Sequence, residues 1–382
     1  MKKPRVVLIH DYLVQYGGAE KTLEAIAEIF PDAPIYTGIY NPKSIPETIT
    51  RRKIITGKNP FLKLFPKYLT FLMPLLFESF DLRDYDIVVS DGTAWPKGVL
   101  TTPDQLHISY IHTPPRFLYK YSVESRKRNK WYHKPAVALI DHFLRIWDFS
   151  SAQRPDFLLT NSKETQRRIW KFYKRESVVI YPPVDVDRAQ PEKEPHLEKP
   201  YYLALGRLAA YKNFDILISA FNLLNIPLKI VGTGPEEKRL KKLAGQNIQF
   251  LGHVSEEQKS KIIEGCKGVL FPVVDEDFGI VPIEALSHGK PVLAHRSGGP
   301  IETIRENIDG MFFEEVSTES LVSTIKIFDD KIDSKAFDGQ QSKIYVQRFG
   351  KERFKKEFAD FVHWKWEEHA RTTGSINNSS NS

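Results

Sequence analysis

The sequence predicts an α/β protein of two doubly wound domains, and three observations carry the prediction. Short apolar, β-rich runs alternate with longer amphipathic segments; the alternation occurs twice; and a stretch rich in proline and charge separates the two occurrences. Strands with helices between them imply parallel sheets covered on both faces. At 382 residues the chain is too long for one ordinary core and sufficient for two.

In the first half Arg5-Val6-Val7-Leu8-Ile9 reads as a buried strand. Gly17-Gly18 then opens a helix whose apolar positions, Ala19, Leu23, Ile26, Ala27 and Phe30, fall near a 3.6-residue period. Further strands are expected at Asp86–Ser90, His107–Ile111, Asp156–Thr160 and Val178–Tyr181. The second half repeats the theme at Tyr201–Leu205, Leu228–Val231, Ile248–Leu251, Val269–Phe271 and Pro291–Ala294. Residues 188–200, with three prolines and many charges, read as a linker. The expected organisation is therefore a first domain over 1–187 and a second over 201–344. A helix over 345–371 returns to the first domain through Phe349, Phe354, Phe358, Phe361, Val362 and Trp366. The polar tail, 372–382, is expected to be disordered. Ligand sites in such sheets lie at the carboxyl ends of the strands, and two facing domains would share one interdomain cleft.

Composition narrows the class. A hydrophobic fraction of 41% with 27% charged residues is that of a globular protein, and no apolar run approaches the ~18 residues needed to span a bilayer. The apolar stretch Val6–Ile9 is too short for a secretory leader. The lone cysteine, Cys266, excludes an internal disulfide framework, so a cytoplasmic location is expected. Residues 1–190 carry 29 Lys and Arg against 20 Asp and Glu, whereas 191–382 carry 26 against 28. The basic first half suits either an anionic partner or a solvated basic surface. Neither zinc-finger spacing nor an RNA-recognition signature supports nucleic acid.

The chemistry-bearing residues concentrate after strands. Glu276-Asp277-Phe278-Gly279-Ile280-Val281-Pro282-Ile283-Glu284 follows the strand ending at Phe271. Gly279 lets backbone approach a ligand, Pro282 suits a first helical turn, and the amides there form an anion site. Glu276 and Glu284 are carboxylates able to accept from sugar and ribose hydroxyls. Gly206-Arg207-Leu208 with Lys212-Asn213 places a guanidinium and an ammonium on one loop, a pair suited to a diphosphate without a metal. Tyr16-Gly17-Gly18-Ala19-Glu20 resembles a phosphate-approach turn but lacks the third glycine of a dinucleotide fingerprint, and Gly232-Thr233-Gly234-Pro235 fails the same test. His112 sits where a strand gives way to a loop. HExxH, GxSxG and a metal-ligand cluster are absent from the sequence.

Taken in order, these motifs resemble glycosyltransferase family 4, retaining enzymes of the GT-B fold with two Rossmann-like domains. The resemblance runs from Tyr16-Gly17-Gly18 to Ser297-Gly298-Gly299-Pro300-Ile301-Glu302, with Glu276 and Glu284 its most specific part. The first half more narrowly resembles bacterial O-antigen mannosyltransferases, on His10-Asp11-Tyr12-Leu13, His112-Thr113-Pro114-Pro115-Arg116, Arg145-Ile146-Trp147-Asp148, Asn161-Ser162 and Tyr181-Pro182-Pro183-Val184-Asp185. The resemblance implies an acceptor-binding first domain and a nucleotide-sugar-binding second domain. Arg207 and Lys212 would clamp the donor diphosphate, with Gly17 and Gly18 approaching it. Glu284 would hold ribose, Glu276 the transferred sugar, and His112 would contact the sugar near its anomeric centre. Phe278, Gly279, Ile280 and Val281 would line the nucleotide sugar. It also implies GDP-mannose as donor, a saccharide or lipid-linked saccharide as acceptor, no metal and no cofactor, in cell-surface polysaccharide synthesis. UDP-sugar donors, a nucleotide-sugar epimerase and a non-catalytic binding module stay open as alternatives. Residues 58–77 mix aromatics, leucines and lysines, and with Arg126–Tyr132 they suit either peripheral contact with an anionic membrane or a core helix.

Overall fold

The computed structural model describes residues 3–57, 70–119, 134–186 and 200–379. The chain divides into two compact units. The described part of the first comprises 3–119 without 58–69, then 134–183 and 351–379; that of the second comprises 184–186 and 200–350.

The first unit is built on a parallel sheet of β1 (Val6–Leu13), β2 (Ile35–Tyr40), β3 (Ile54–Thr56), β4 (Ile87–Gly92), β5 (Leu106–Ile111), β6 (Phe157–Thr160) and β7 (Val178–Val179). Their spatial order is β3-β2-β1-β4-β5-β6-β7. Alternating side chains split the core in two, because successive strand residues face opposite sides. Val7, Ile9 and Val88 pack with Met73, Phe77, Trp95 and Leu144. Leu8, Val89 and Ile108 pack with Leu23 and Ile26 of helix Gly18–Ile29, and with Phe354, Phe358, Phe361 and Val362. The last four belong to helix Lys351–Ser379, so the carboxyl-terminal helix closes the first unit, as its apolar stripe predicts. Lys351 reinforces the contact with a 2.5 Å ion pair to Glu28.

The second unit holds β8 (Tyr202–Leu205), β9 (Leu228–Val231), β10 (Ile248–Gly252), β11 (Val269–Phe271), β12 (Val292–His295) and β13 (Gly310–Phe313), ordered β10-β9-β8-β11-β12-β13. Tyr202, Leu217, Phe221, Ile230, Leu270 and Phe328 form its core. In both sheets the order reverses beside the first strand, between β1 and β4 and between β8 and β11. These are the crevices where doubly wound sheets take ligands.

Three strands escape the sequence reading: β2 and β13 each contain a glycine, and β3 has only three residues. Two expectations for the carboxyl terminus change. The helical pattern expected to start at Tyr345 is interrupted at Gly350, which is extended (φ −65°, ψ 156°) and bridges Val184. Tyr345 instead belongs to helix Gly339–Val346 of the second unit, its ring under Arg305 at 4.2 Å. The tail expected to be disordered after Arg371 is helical through Ser379. Thr372 and Thr373 return their hydroxyls to the carbonyls of Glu368 and His369, so their side chains are satisfied within the helix. Of the segment 58–77, residues 58–69 lie outside the described residues. Its end, helix Met73–Glu78, buries Met73, Leu76 and Phe77 while leaving Leu75 exposed. Arg126–Tyr132 and most of the linker also lie outside the described residues. Among the described residues no helix is long and apolar enough to cross a membrane.

Candidate functional site

In the second unit the loops after β8 and β11 leave adjacent strands, and the structure brings Lys212 and Glu276 together from them. Lys212 Nζ donates to Glu276 Oε2 at 2.7 Å, and both side chains are mostly covered. The ammonium also lies 5.2 Å from the Tyr211 ring and 5.6 Å from that of Phe271, within cation–π range of both. Asn213, in the left-handed region at φ 54°, donates its amide to the Pro272 carbonyl at 3.0 Å and so ties one loop to the next. Arg207 stands exposed on the same loop. The loop rests on Gly232-Thr233-Gly234: Leu208 N donates to Thr233 O at 2.9 Å, and a Cβ at Gly232 would sit 2.0 Å from Gly206 O. This glycine pair therefore serves close backbone packing. It forms the floor beneath Arg207, a role the failed dinucleotide fingerprint does not reveal.

Gly279 caps helix Ile280–Ser287 at φ 89°, a conformation suited to glycine, and Phe278 buries its ring 5.6 Å from Phe349. Glu284, one turn into that helix, is buried and is not paired with Lys212. It accepts from Lys259 Nζ at 2.7 Å, and with Asp185, Ser260 and His288 it lines a small pocket. Burial opposes charge on Lys259, yet Glu284 and Glu256 raise its pKa above the ordinary lysine value.

In the first unit Gly17 precedes helix Gly18–Ile29, and its N–H donates to Glu20 Oε2 at 2.8 Å. The other Glu20 oxygen lies 4.0 Å from His10 Nε2. His10 Nδ1 is 2.9 Å from Asp91 Oδ2, and His112 Nε2 is 2.9 Å from Asp91 Oδ1. Burial alone would depress the His10 pKa, but Asp91 and Glu20 raise it to about 10. Burial likewise opposes ionisation of Asp91, and the two histidines lower its pKa nevertheless. The backbone of His112 is fixed separately: its N–H donates to Gly92 O at 3.1 Å and its carbonyl accepts from Asn161 Nδ2 at 2.8 Å.

The remaining first-half motifs shape the loops around this cluster. Asp11 accepts from the N–H groups of Thr93, Ala94 and Trp95, capping the turn after β4. Asp148 is a buried hub, 2.6 Å from Lys97 Nζ and accepting from the hydroxyls of Tyr119 and Tyr173. Arg145 donates to the Leu118 carbonyl at 3.0 Å. Sequence reasoning missed Glu20, Asp91 and Lys259. The one signal for Asp91 was its charge following the apolar run Ile87-Val88-Val89 of a strand.

Residues 16–188 match the family described as Glycosyltransferase Family 4, and 185–338 match Glycosyl transferases group 1. The alpha-1,3/1,6-mannosyltransferase ALG2 of Kluyveromyces lactis is 26% identical over 276 residues, 58% of this chain. Against that relative the chain spans about half of its length, 53%. ALG2 of Mus musculus is 24% identical over 412 residues, covering 94% of this chain and 96% of its own. The O-antigen chain mannosyltransferase C of Escherichia coli is 28% identical over 132 residues, 33% of this chain and 36% of that protein. Anabaena HepE, solved in complex with UDP and glucose, shares the fold with a TM-score of 0.67 at 17% identity, covering 94% of this chain and 100% of that one. With its two halves matched in order, the chain belongs to the glycosyltransferases that join a Family 4 first half to a group 1 second half.

Proposed function

We propose that this glycosyltransferase moves mannose from GDP-mannose to a glycan or lipid-linked saccharide, with retention of configuration and without a metal, in making a cell-surface polysaccharide. The observation that carries this reading is the Lys212–Glu276 pair at the β8/β11 crossover, a cation and a carboxylate held together until a ligand divides them. The mannosyltransferase relatives support the choice of sugar.

In this reading Arg207 and Lys212 take the diphosphate, the first by paired hydrogen bonds and the second as a point charge. Glu276, released from Lys212, accepts from the sugar hydroxyls. Glu284 accepts from ribose, and the amides at Gly279 and Ile280 face phosphate and sugar. Phe278 and Val281 frame them, Gly17 and Gly18 let backbone approach the diphosphate, and His112 meets the sugar. The bond from the anomeric carbon to the phosphate oxygen breaks as the acceptor oxygen bonds that carbon on the same face. The acceptor proton passes to a phosphate oxygen of the departing GDP. The chain supplies positioning and leaving-group stabilisation.

Peripheral contact with an anionic membrane fits the same reading. Helix Lys134–Ser151 exposes Leu139, Phe143, Ile146 and Phe149, and the basic run Arg126-Lys127-Arg128-Asn129-Lys130 precedes it in sequence. Failure to co-sediment with anionic liposomes at low salt removes this partner.

Thermal stabilisation by GDP, UDP, GDP-mannose and UDP-glucose, with EDTA present, tests the donor. A ligand at a hundred times its Kd adds ~2.7 kcal/mol to the native state, and the shifts rank the ligands. Selective response to GDP and GDP-mannose is expected. A UDP preference, the second reading that the HepE complex keeps in view, discards mannose and retains the roles.

A further inference from the structure

We propose that Asp91 is the positioning residue for His112, and that His10, backed by Glu20, holds Asp91 in that role. The proposal rests on the reading that His112 meets the transferred sugar. One buried chain of alternating carboxylates and imidazoles then joins the turn at Gly17 to His112. Its links are Gly17 N to Glu20 at 2.8 Å, Glu20 to His10 at 4.0 Å, His10 to Asp91 at 2.9 Å and Asp91 to His112 at 2.9 Å.

Three features distinguish this chain of contacts from ordinary core polarity. First, each Asp91 oxygen faces a different imidazole, so the carboxylate is held from two sides and rotation about its own bond would lose both. Second, the His10 and Asp91 side chains are only 2% and 1% exposed, whereas that of His112 is 13% exposed. The arrangement is sealed at one end and open at the end that the reading assigns to substrate. Third, the His112 backbone is already anchored to Gly92 and Asn161, so the remaining freedom is rotation of the ring. Asp91 removes that freedom. The Asp91 oxygen lies 2.9 Å from His112 Nε2 at an angle short of a hydrogen bond, yet an ionised carboxylate that close disfavours a lone pair on Nε2 and so decides which nitrogen carries the proton. A proton on Nε2, beside the Asp91 carboxylate, leaves Nδ1 as the nitrogen able to accept a hydroxyl hydrogen from a ligand. The raised pKa of His10 agrees with this picture, since an imidazolium there keeps Asp91 ionised.

Nitrogen-15 NMR of the histidine rings in the full chain, at a pH where His112 is neutral, reads the tautomer without requiring turnover. His112 is expected as the Nε2–H form in the wild type, and the fixed form is lost in Asp91→Asn. GDP release from GDP-mannose by the same variant should fall about 10- to 100-fold in kcat with little change in KM, the range that losing an orienting partner costs a metal-bound histidine. In an His112→Ala background Asp91→Asn should add no further loss, because Asp91 acts through the missing ring. A wild-type Nδ1–H ring overturns the proposal. So does an Asp91→Asn chain unchanged in tautomer and kcat, or a double variant whose losses multiply. If Asp91→Asn fails to fold by circular dichroism, His10→Gln tests the same link, with a smaller change in the same tautomer signal expected. A tautomer that moves as stated in a chain that turns over no nucleotide sugar leaves the positioning intact and defeats the transferase role of His112 instead.

Discussion

The two sheets reverse strand order at the same place, yet the residues at the two crossovers handle charge in opposite ways. In the first unit the charged residues sit on the strands themselves: His10 of β1 and Asp91 of β4 are buried side by side, and Glu20 of the following helix lies 4.0 Å from His10. In the second unit Arg207 is exposed, Lys212 pairs with Glu276, and Lys259 pairs with both Glu284 and Glu256. A buried network must satisfy every member within the protein, since a lone buried charge is expensive. A pair such as Lys212–Glu276, partly exposed at the strand ends, can exchange its partner for a ligand of the same charge. The first style fixes geometry and the second remains available for binding. The common topology therefore does not dictate a common role.

The largest effect that sharpens this contrast is on stability. Lys97→Met should cost about 3–5 kcal/mol, because it strands the Asp148 carboxylate at 1% exposure with only the hydroxyls of Tyr119 and Tyr173. Urea unfolding with an unchanged m-value checks it. A loss below about 1 kcal/mol would break the claim that the first unit's charges are structurally committed. Arg207→Ala should do the reverse. Its stability should stay within about 0.5 kcal/mol of wild type, as for an exposed side chain. Its kcat should fall roughly 100- to 1000-fold, the loss usual on removing one preorganised stabiliser of developing charge. Near-normal turnover with GDP-mannose would end its assignment to the diphosphate.

How far this contrast was legible in the sequence follows from range. Strands with unbroken apolar runs, such as Val6–Ile9 and Val269–Phe271, declared themselves, and so did the apolar stripe that docks Phe354 and Phe358. Lys212 and Glu276 were legible as separate loop residues because each follows a strand end, although their pairing was not. His10 and Asp91 lie 81 positions apart, and only the adjacency of β1 and β4 brings them together. Local periodicity carries no information about that. The motif Arg145-Ile146-Trp147-Asp148 shows the complementary limit. Its order resembled a functional signature, whereas its side chains support loops, Arg145 through Leu118 and Asp148 through Lys97. A spacing marks residues that matter without saying whether they touch substrate.

Two histidines give the contrast a pH dependence of opposite sign. His10 has its pKa raised to about 10, against 6.5 in an unfolded chain. It contributes stability that is whole below about pH 6.5 and is lost as pH rises through about 10. His288, in the second unit, has its pKa lowered by burial. It contributes stability present above about pH 6.5 and lost as pH falls below that value. The difference in unfolding free energy between wild type and His10→Gln should therefore narrow from pH 7 towards pH 10. That between wild type and His288→Gln should narrow from pH 7 towards pH 5. A His10→Gln difference that is flat across the alkaline range would mean the buried imidazole is neutral.

The smallest expected effect separates the two styles most finely, because it compares like substitutions. Ser162 and Ser317 each cap a helix, accepting from Thr165 N at 3.0 Å and Ser320 N at 3.1 Å. Either serine replaced by alanine should cost about 1 kcal/mol. Their consequences for turnover should differ. Ser162 also contacts Asn161 Oδ1 and Thr165 Oγ1, the two side chains whose other hydrogen bonds end on the His112 carbonyl. Ser317 begins helix Thr318–Asp333, whose buried residues pack into the core of the second unit. Ser162→Ala should accordingly lower kcat several-fold beyond what its stability loss explains, and Ser317→Ala should leave kcat unchanged at temperatures where both chains are folded. Equal kcat values in the two variants would show that the loop carrying His112 tolerates a loosened cap, and would confine the first unit's rigidity to the buried carboxylate and imidazole groups themselves.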